Sequence, residues 1–387
     1  MNQESAEKVL ISQATYAKTL HSLLPKEAFA PDPSKLIVLF VNLVILGLGW
    51  SLARQLNLWS LVHLGLYLPL AVVMGNSVIV LLFSSHDLLH GSVVRRPKVA
   101  HALSLLGLSL LWMPPTLWQI VHNRIHHTTT NTLADPDRNY LSQQPNTWGK
   151  WIQNAFVPGT DVTPPGLFLG LGTAWGVHTF RHLTSVLLFN SAEVDYVPAA
   201  FTVKPKERRI IALELLVIIL IHVGIMGYLG FDPSKLVIAY FLPIGLGYAG
   251  LISYIYTNHL ACPMTPVNDP LVNSVSIKVP KILDLLHLNF SYHAEHHIFP
   301  GLNSDYYPQV RALLQRHYPE RMGYVMTAQQ AWHQLCSTPR LYQDETTLTN
   351  WSGSLSVPCA PNNPGGTSAI PERSNAEETL ASPTGTV

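Results

Sequence analysis

Eight histidines stand in three short strings: His86-Asp-Leu-Leu-His90, His122-Asn-Arg-Ile-His126-His127 and His293-Ala-Glu-His296-His297. A structural zinc takes four ligands and a catalytic one takes three plus water, so eight imidazoles exceed what one ion uses. Two metal ions are the economical reading, and imidazole suits zinc, copper, iron and nickel alike. On a helix, His86 and His90 lie one turn apart on the same face. The adjacent members of His126-His127 and of His296-His297 diverge by about 100° on a helix. Each can therefore face a different metal, while His122 or His293 joins one of them. Asp87 and Glu295 sit inside the strings, where a carboxylate can accept the second ring N–H of a ligand and fix its tautomer.

Further candidates surround these strings. His259, in Tyr256-Thr-Asn-His-Leu260, reads as a ninth ligand or as a histidine that meets water, and its neighbour Asn258 suits the support of a bound water. Asp135 and Asp137, in Asp135-Pro-Asp137-Arg138, read equally as carboxylates behind the ligands or as a turn. His178 and His182 repeat the four-residue spacing without a doublet, which favours a structural or lipid-headgroup role. Glu214 and His222 suit hydrogen bonds between helices, although two turns of separation weaken a direct contact between them. His63 and His101 look interfacial, and His287 suits support of the third string.

The elements that must position these residues are membrane helices. With 48% hydrophobic and 12% charged residues, the chain carries about half the charge of an ordinary soluble domain. A net charge of +1 argues against a nucleic-acid partner. Three scattered cysteines form neither a disulfide framework nor a thiolate site. Four stretches are long enough to span a bilayer: Leu36 to Ala53, Leu61 to Phe83, Ile210 to Leu229 and Leu236 to Tyr256. They fall into two hairpins with short connections. A fifth apolar run, Ala102 to Met113, ends at Pro114-Pro115 and reads as dipping into the interface.

Two crossings separate the second string from the third, so all three strings can meet on one membrane face. That face also carries most lysines and arginines, which makes it cytoplasmic by the positive-inside rule. Residues 1–35 lack a signal-type apolar core and read as a cytoplasmic N-terminal segment. Residues 36–350 form the membrane domain, with residues 128–209 as interfacial helices and loops above the site. From Trp351 to residue 387 the composition turns to Ser, Pro, Asn, Gly and Thr, as in a disordered tail. The expected fold is an all-α integral membrane protein of four transmembrane helices with a cytoplasmic helical cap that carries the metal site.

A metalloprotease needs a glutamate base within His-Glu-x-x-His, which none of the strings supplies. A transporter places its ligands near the midplane on broken helices rather than at helix ends. Redox chemistry on a molecule that lives in the bilayer remains, and dioxygen activation by iron fits it.

The strings HDLLH, HNRIHH and HAEHH, their order and the intervening pair of spans resemble the membrane fatty-acid desaturase and hydroxylase superfamily over about residues 36–319. Their contexts, FSSHDLLHG, HNRIHHTTTNTLADPDR and NFSYHAEHHIFPGLNSDYYP, look most like bacterial and particularly cyanobacterial acyl-lipid desaturase-like proteins. The resemblance implies a non-haem di-iron centre that uses dioxygen and two electrons to remove two hydrogens from adjacent carbons of a membrane lipid acyl chain. It makes His86, His90, His122, His126, His127, His293, His296 and His297 iron ligands. It also implies a multi-pass protein of the plasma or thylakoid membrane. An external donor, ferredoxin in cyanobacterial relatives, supplies the electrons. A carotenoid or lipid hydroxylase or ketolase of the same superfamily is the alternative, and a non-catalytic metal-binding membrane protein is the alternative from another class.

The chain also departs from known subgroups. Animal stearoyl-type desaturases have four residues within the first string, where this chain has three. They also have an Asn four positions before the later His, where Ile255 stands here. Front-end desaturases begin the third string with Gln in place of His293. Asn363-Pro-Gly-Gly366 lacks the His of a haem-binding His-Pro-Gly-Gly motif.

Overall fold

The computed structural model describes residues 9–56, 59–156, 164–194, 196–322 and 325–359. Its elements are mostly helical. A short α1 (Gln13–His21) precedes α2 (Leu36–Gln55) and α3 (Leu61–His90). Ser60 caps the start of α3, and Gly91 ends it at a φ of 79°, a left-handed conformation that only glycine adopts without cost. Next come α4 (Pro97–Ser109), α5 (Pro115–Trp118), a π-helical stretch at Gln119–His126 and its closing turn α6 (His127–Thr129). After them lie α7 (Thr147–Phe156), α8 (Pro164–Thr184) and α9 (Pro205–Tyr228). The short α10 (Pro233–Lys235) leads through a π turn into α11 (Leu242–Asn258). The remaining helices are α12 (Pro270–Asn273), α13 (Lys281–Leu286), α14 (His293–Ile298), α15 (Tyr307–His317) and α16 (Ala328–Ser337).

Among the described residues, four helices are long and apolar enough to cross a membrane: Pro33–Gln55, Leu61–His90, Pro205–Tyr228 and Pro233–Asn258. Each agrees with an expected span, but the second runs seven residues beyond Phe83 and carries the first histidine string on its last turn. Helix α3 is central, with 61% of its most apolar window buried against 22% for α9. Leu48 on α2 and Leu213 and Leu220 on α9 face outward, as lipid-facing side chains do. α11 packs against α3 and α8, and α2 and α4 pack on α3. The approach of α3 to α11 is glycine-mediated. A Cβ on Gly247 would lie 2.6 Å from Cβ of Val78 and 2.9 Å from the carbonyl of Gly75, so only small residues let these backbones meet.

The apolar run after residue 102 forms a half-length helix that ends in a buried turn. Carbonyls of this turn accept from side-chain donors on the long helices. Tyr248 donates to Leu110, Trp175 Nε1 to Leu111 and His222 Nε2 to Ser109. Trp112 stacks on His222 with ring centres 4.0 Å apart. The next helix start is capped from α9: Glu214 accepts from the backbone N–H of Thr116 at 3.0 Å and from its hydroxyl at 2.7 Å, and it pairs with His101 at 2.6 Å. Glu214 and His222 thus each serve the turn, two anchors fixing the segment that leads into the second string.

Two small sheets qualify the all-α expectation. β1 (Ser276–Lys278) pairs in parallel with β2 (Val325–Thr327), and β3 (Leu341–Asp344), β4 (Thr347–Thr349) and β5 (Ser356–Pro358) form an antiparallel sheet. These short extended segments must pair their backbone groups once packed, and three or four residues carry too little periodicity to be read from sequence. Order therefore continues past Trp351, the expected start of a disordered tail, and residues 360–387 lie outside the described residues.

Candidate metal centre

The three histidine strings and His259 come together from five elements. The end of α3 supplies His86 and His90; the π-helical stretch and α6 supply His122, His126 and His127; α14 supplies His293, His296 and His297; His259 caps α11. All but His90 are buried, and His90 is half-buried.

The imidazoles divide into two groups. His86, His90, His122, His127 and His296 form one, and His126, His259 and His297 form the other. His293 joins the second, with its Nε2 2.9 Å from that of His259 and 3.0 Å from that of His297. Both doublets are split: His126 faces one group and His127 the other, and His297 and His296 part in the same way. This is the divergence expected of neighbouring side chains on a helix.

Ring nitrogens converge in a manner hydrogen bonding cannot satisfy. Nε2 of His296 lies 3.0 Å from that of His86 and 3.1 Å from that of His127, which in turn lies 3.2 Å from that of His122. A neutral imidazole has one N–H, and several of these rings spend it outward. His86 Nδ1 donates to Asp87 at 3.1 Å, His126 Nδ1 to Asp135 at 3.0 Å and His259 Nδ1 to the carbonyl of Asn273 at 2.8 Å. His296 Nδ1 lies 3.0 Å from the hydroxyl of Tyr307, and His297 Nδ1 lies 3.2 Å from that of Thr130. The inward nitrogens of His86, His126 and His259 then carry lone pairs, which is the donor set a cation requires. Nε2 of His90 and Nδ1 of His127 and of His293 have no hydrogen-bond partner among the described residues.

Burial favours the neutral rings that metals bind. It pushes His122 down to about 3 and His259 to about 4, and it holds His127, His293, His296 and His297 well below the ordinary histidine value. Burial acts the same way on His126, but the Asp135 carboxylate outweighs it and raises that group.

The carboxylates fall into different roles. Asp87 holds His86 and accepts from Ser304, whose hydroxyl also accepts from Lys35. Asp135 holds His126 and accepts from the backbone N–H groups of Asn131 and Asp137, so the turn and the ligand support are one feature. Asp137 lies 3.6 Å from Nδ1 of His122, 2.7 Å from Nε2 of His178 and 3.5 Å from Nε2 of His182. His178 and His182 are therefore buried partners of this carboxylate rather than headgroup contacts. Glu295 departs from expectation: it binds Arg311 at 2.6 Å and Ser276 at 2.5 Å instead of a histidine ring. Its position in the string points it away from the rings and toward α15. Its role is to fix the fold of α14. His287 bonds Tyr254 and Asn76 and stacks edge-on to Phe83, beneath the third string.

Tyr307, Thr130 and the Asn273 carbonyl carry no motif signal. The fold alone shows which rings they hold. A pocket of about 40 Å³ lies against both groups, lined by His122 from the first and by His126, His259 and His293 from the second. Trp118, Trp175, Asn258, Leu82, Ile252, Ile255 and Phe290, with the polar Asp137, Asn139 and His178, complete its wall. The arrangement can hold two cations side by side over a largely apolar pocket.

A comparison with curated proteins finds no match. A family model, Fatty acid desaturase, matches residues 58–328, a range that runs from the start of α3 to the start of α16 and includes all three histidine strings. With a matched range of that extent, joined to nine imidazoles gathered from the ends of two apolar helices and the short elements between and after them, the chain belongs to the fatty acid desaturase family.

Proposed function

We propose that this chain is a non-haem di-iron acyl-lipid desaturase that introduces a double bond into a membrane lipid chain at the expense of dioxygen and two electrons. The observation that carries the reading is the split of both histidine doublets between two groups of imidazoles above one pocket. The donor set fits the group the family implies: His86, His90, His122, His127 and His296 would hold one iron, and His126, His259, His293 and His297 the other. Irons bound there would supply the activation of dioxygen that the oxidation of an unactivated C–H bond needs.

The protein's own residues do the rest. Asp87 and Asp135 keep the N–H of His86 and His126 turned outward, and the Asn273 carbonyl does so for His259. Leu82, Ile252, Ile255 and Phe290 line the pocket with apolar surface and exclude water from the reacting carbons. The four long helices form two hairpins, which bring the three strings to one face, and the lysines and arginines make that face cytoplasmic. Residues 36–350 act as one membrane domain. Exposed basic groups such as Arg95, Arg96 and Lys206 suit an acidic electron donor of the ferredoxin type.

The test is expression of the full chain in a host lacking polyunsaturated lipids, with iron analysis of the purified protein. New double bonds in the host lipids and about two irons per chain support the reading. A chain that holds zinc, stays inert to dioxygen with reduced ferredoxin and leaves the lipids unchanged rejects it.

A further inference from the structure

The pocket beside the histidines is not uniformly apolar. Asn258 is fully buried, and both its amide nitrogen and its amide oxygen lack a hydrogen-bond partner among the described residues. Trp118, also buried, has an indole Nε1–H in the same condition. Both side chains line the pocket that touches both histidine groups. Two donors and one acceptor are thus left unserved by the described residues at the edge of this space, whereas Asn123 and Asn268 each leave only the amide oxygen unpaired and spend the nitrogen on the carbonyls of Leu89 and His127. Asn131, for comparison, spends its amide nitrogen on two carbonyls and a tyrosine hydroxyl.

Water can serve these atoms, and at about 10–15 Å³ each roughly three waters fit the 40 Å³ pocket. A plain methylene chain entering the pocket would expel that water and leave the amide and the indole dry, which opposes binding. A hydroxyl answers both needs at once. Its hydrogen goes to Oδ1 of Asn258, and its oxygen accepts from Nδ2 of Asn258 or from Nε1 of Trp118. A carbonyl supplies only the acceptor half, and an ionised carboxylate is opposed by the carboxylate of Asp137, which lines the same pocket beside the apolar Leu82, Ile252, Ile255 and Phe290.

We infer that the substrate of this site is a lipid chain carrying a hydroxyl group close to the carbon that is oxidised, with Asn258 and Trp118 as the residues that select it. The inference rests on the redox reading of the site and narrows its substrate class. The hydroxyl registers the chain against the histidines, so the oxidised position is set by distance from an oxygen rather than by chain length alone.

Binding tests this without requiring turnover. The iron-loaded full chain in lipid nanodiscs is titrated with stearic acid and with its positional monohydroxystearic acids, read by displacement of a fluorescent fatty acid. At least one isomer is expected to bind about tenfold or more tightly than stearic acid. Asn258→Leu should abolish that preference and leave stearic acid bound at least as well as before. Trp118→Phe, which keeps the ring that packs on His122, should weaken the preference and stands in where the Asn258 variant fails to fold. Equal affinity for every isomer, or a preference that survives both substitutions, shows that water alone serves these atoms and overturns the inference. A hydroxyl preference in a protein that oxidises nothing leaves only the selection of a hydroxylated chain by Asn258 and Trp118 standing and rejects the function proposed above; oxidation without a preference rejects the inference and leaves that function.

Discussion

His126 and His127 share a peptide bond and face different cages: the ring of His127 lies 4.7 Å from that of His296, and the ring of His126 lies 4.9 Å from that of His259. The residues are equivalent in type and burial, so their substitution separates the two groups experimentally. His126→Ala and His127→Ala should each lower iron from about two to about one per chain and reduce product formation by at least about a hundredfold, while the protein stays in the membrane. Metal analysis of the purified variants checks this, and full iron content in either would remove that histidine from the centre.

Asp135 reaches the second group only through His126. Asp135→Asn retains the shape but weakens control of the tautomer, and should cost about ten- to a hundredfold in iron retention. The readout is the rate of iron loss to a chelator, compared with wild type. Identical rates would mean the carboxylate serves the turn alone.

Glu295 lies within the third string but holds Arg311. Glu295→Ala should therefore act on stability, by about 3 kcal/mol, because it strands a nearly buried guanidinium. Iron per folded chain should remain that of wild type. Thermal unfolding in detergent, paired with metal analysis, distinguishes this from a ligand-support role, in which iron would fall first.

The pairing of His101 with Glu214 carries a pH signature. The hydrogen bond to Glu214 raises the His101 pKa above its ordinary value of 6.5. A group whose folded pKa is raised contributes stability that is complete below the unfolded value and is lost as pH rises through the folded one. Wild type should therefore exceed His101→Gln in melting temperature below about pH 6.5, and the gap should narrow as the solution becomes alkaline. Melting curves across that range measure it, and a gap that is constant or widens contradicts the pairing.

At Gly247 the space between α3 and α11 is already taken. Gly247→Ala places a methyl against Val78 and the Gly75 carbonyl and should destabilise the protein by about 1–3 kcal/mol. An unchanged unfolding midpoint in denaturant would show that these helices are free to separate.

Much of the centre was legible without coordinates because its signal is local. Spacing placed His86 and His90 on one face, and the roughly 100° step between neighbours split each doublet, since both follow from helix geometry within a few residues. The four long helices were equally readable, because about 20 apolar residues in a row have few other solutions. Tertiary packing decided everything that depends on residues distant in the chain. It brought Tyr307 to His296 and the Asn273 carbonyl to His259, turned Glu295 toward Arg311, made His178 a partner of Asp137, and used Glu214 and His222 to secure the turn that aims the second string. It also left the Asn258 amide unserved beside the pocket. A side chain's hydrogen-bond partner is chosen by which backbones pack around it, and no periodicity in the chain encodes that choice.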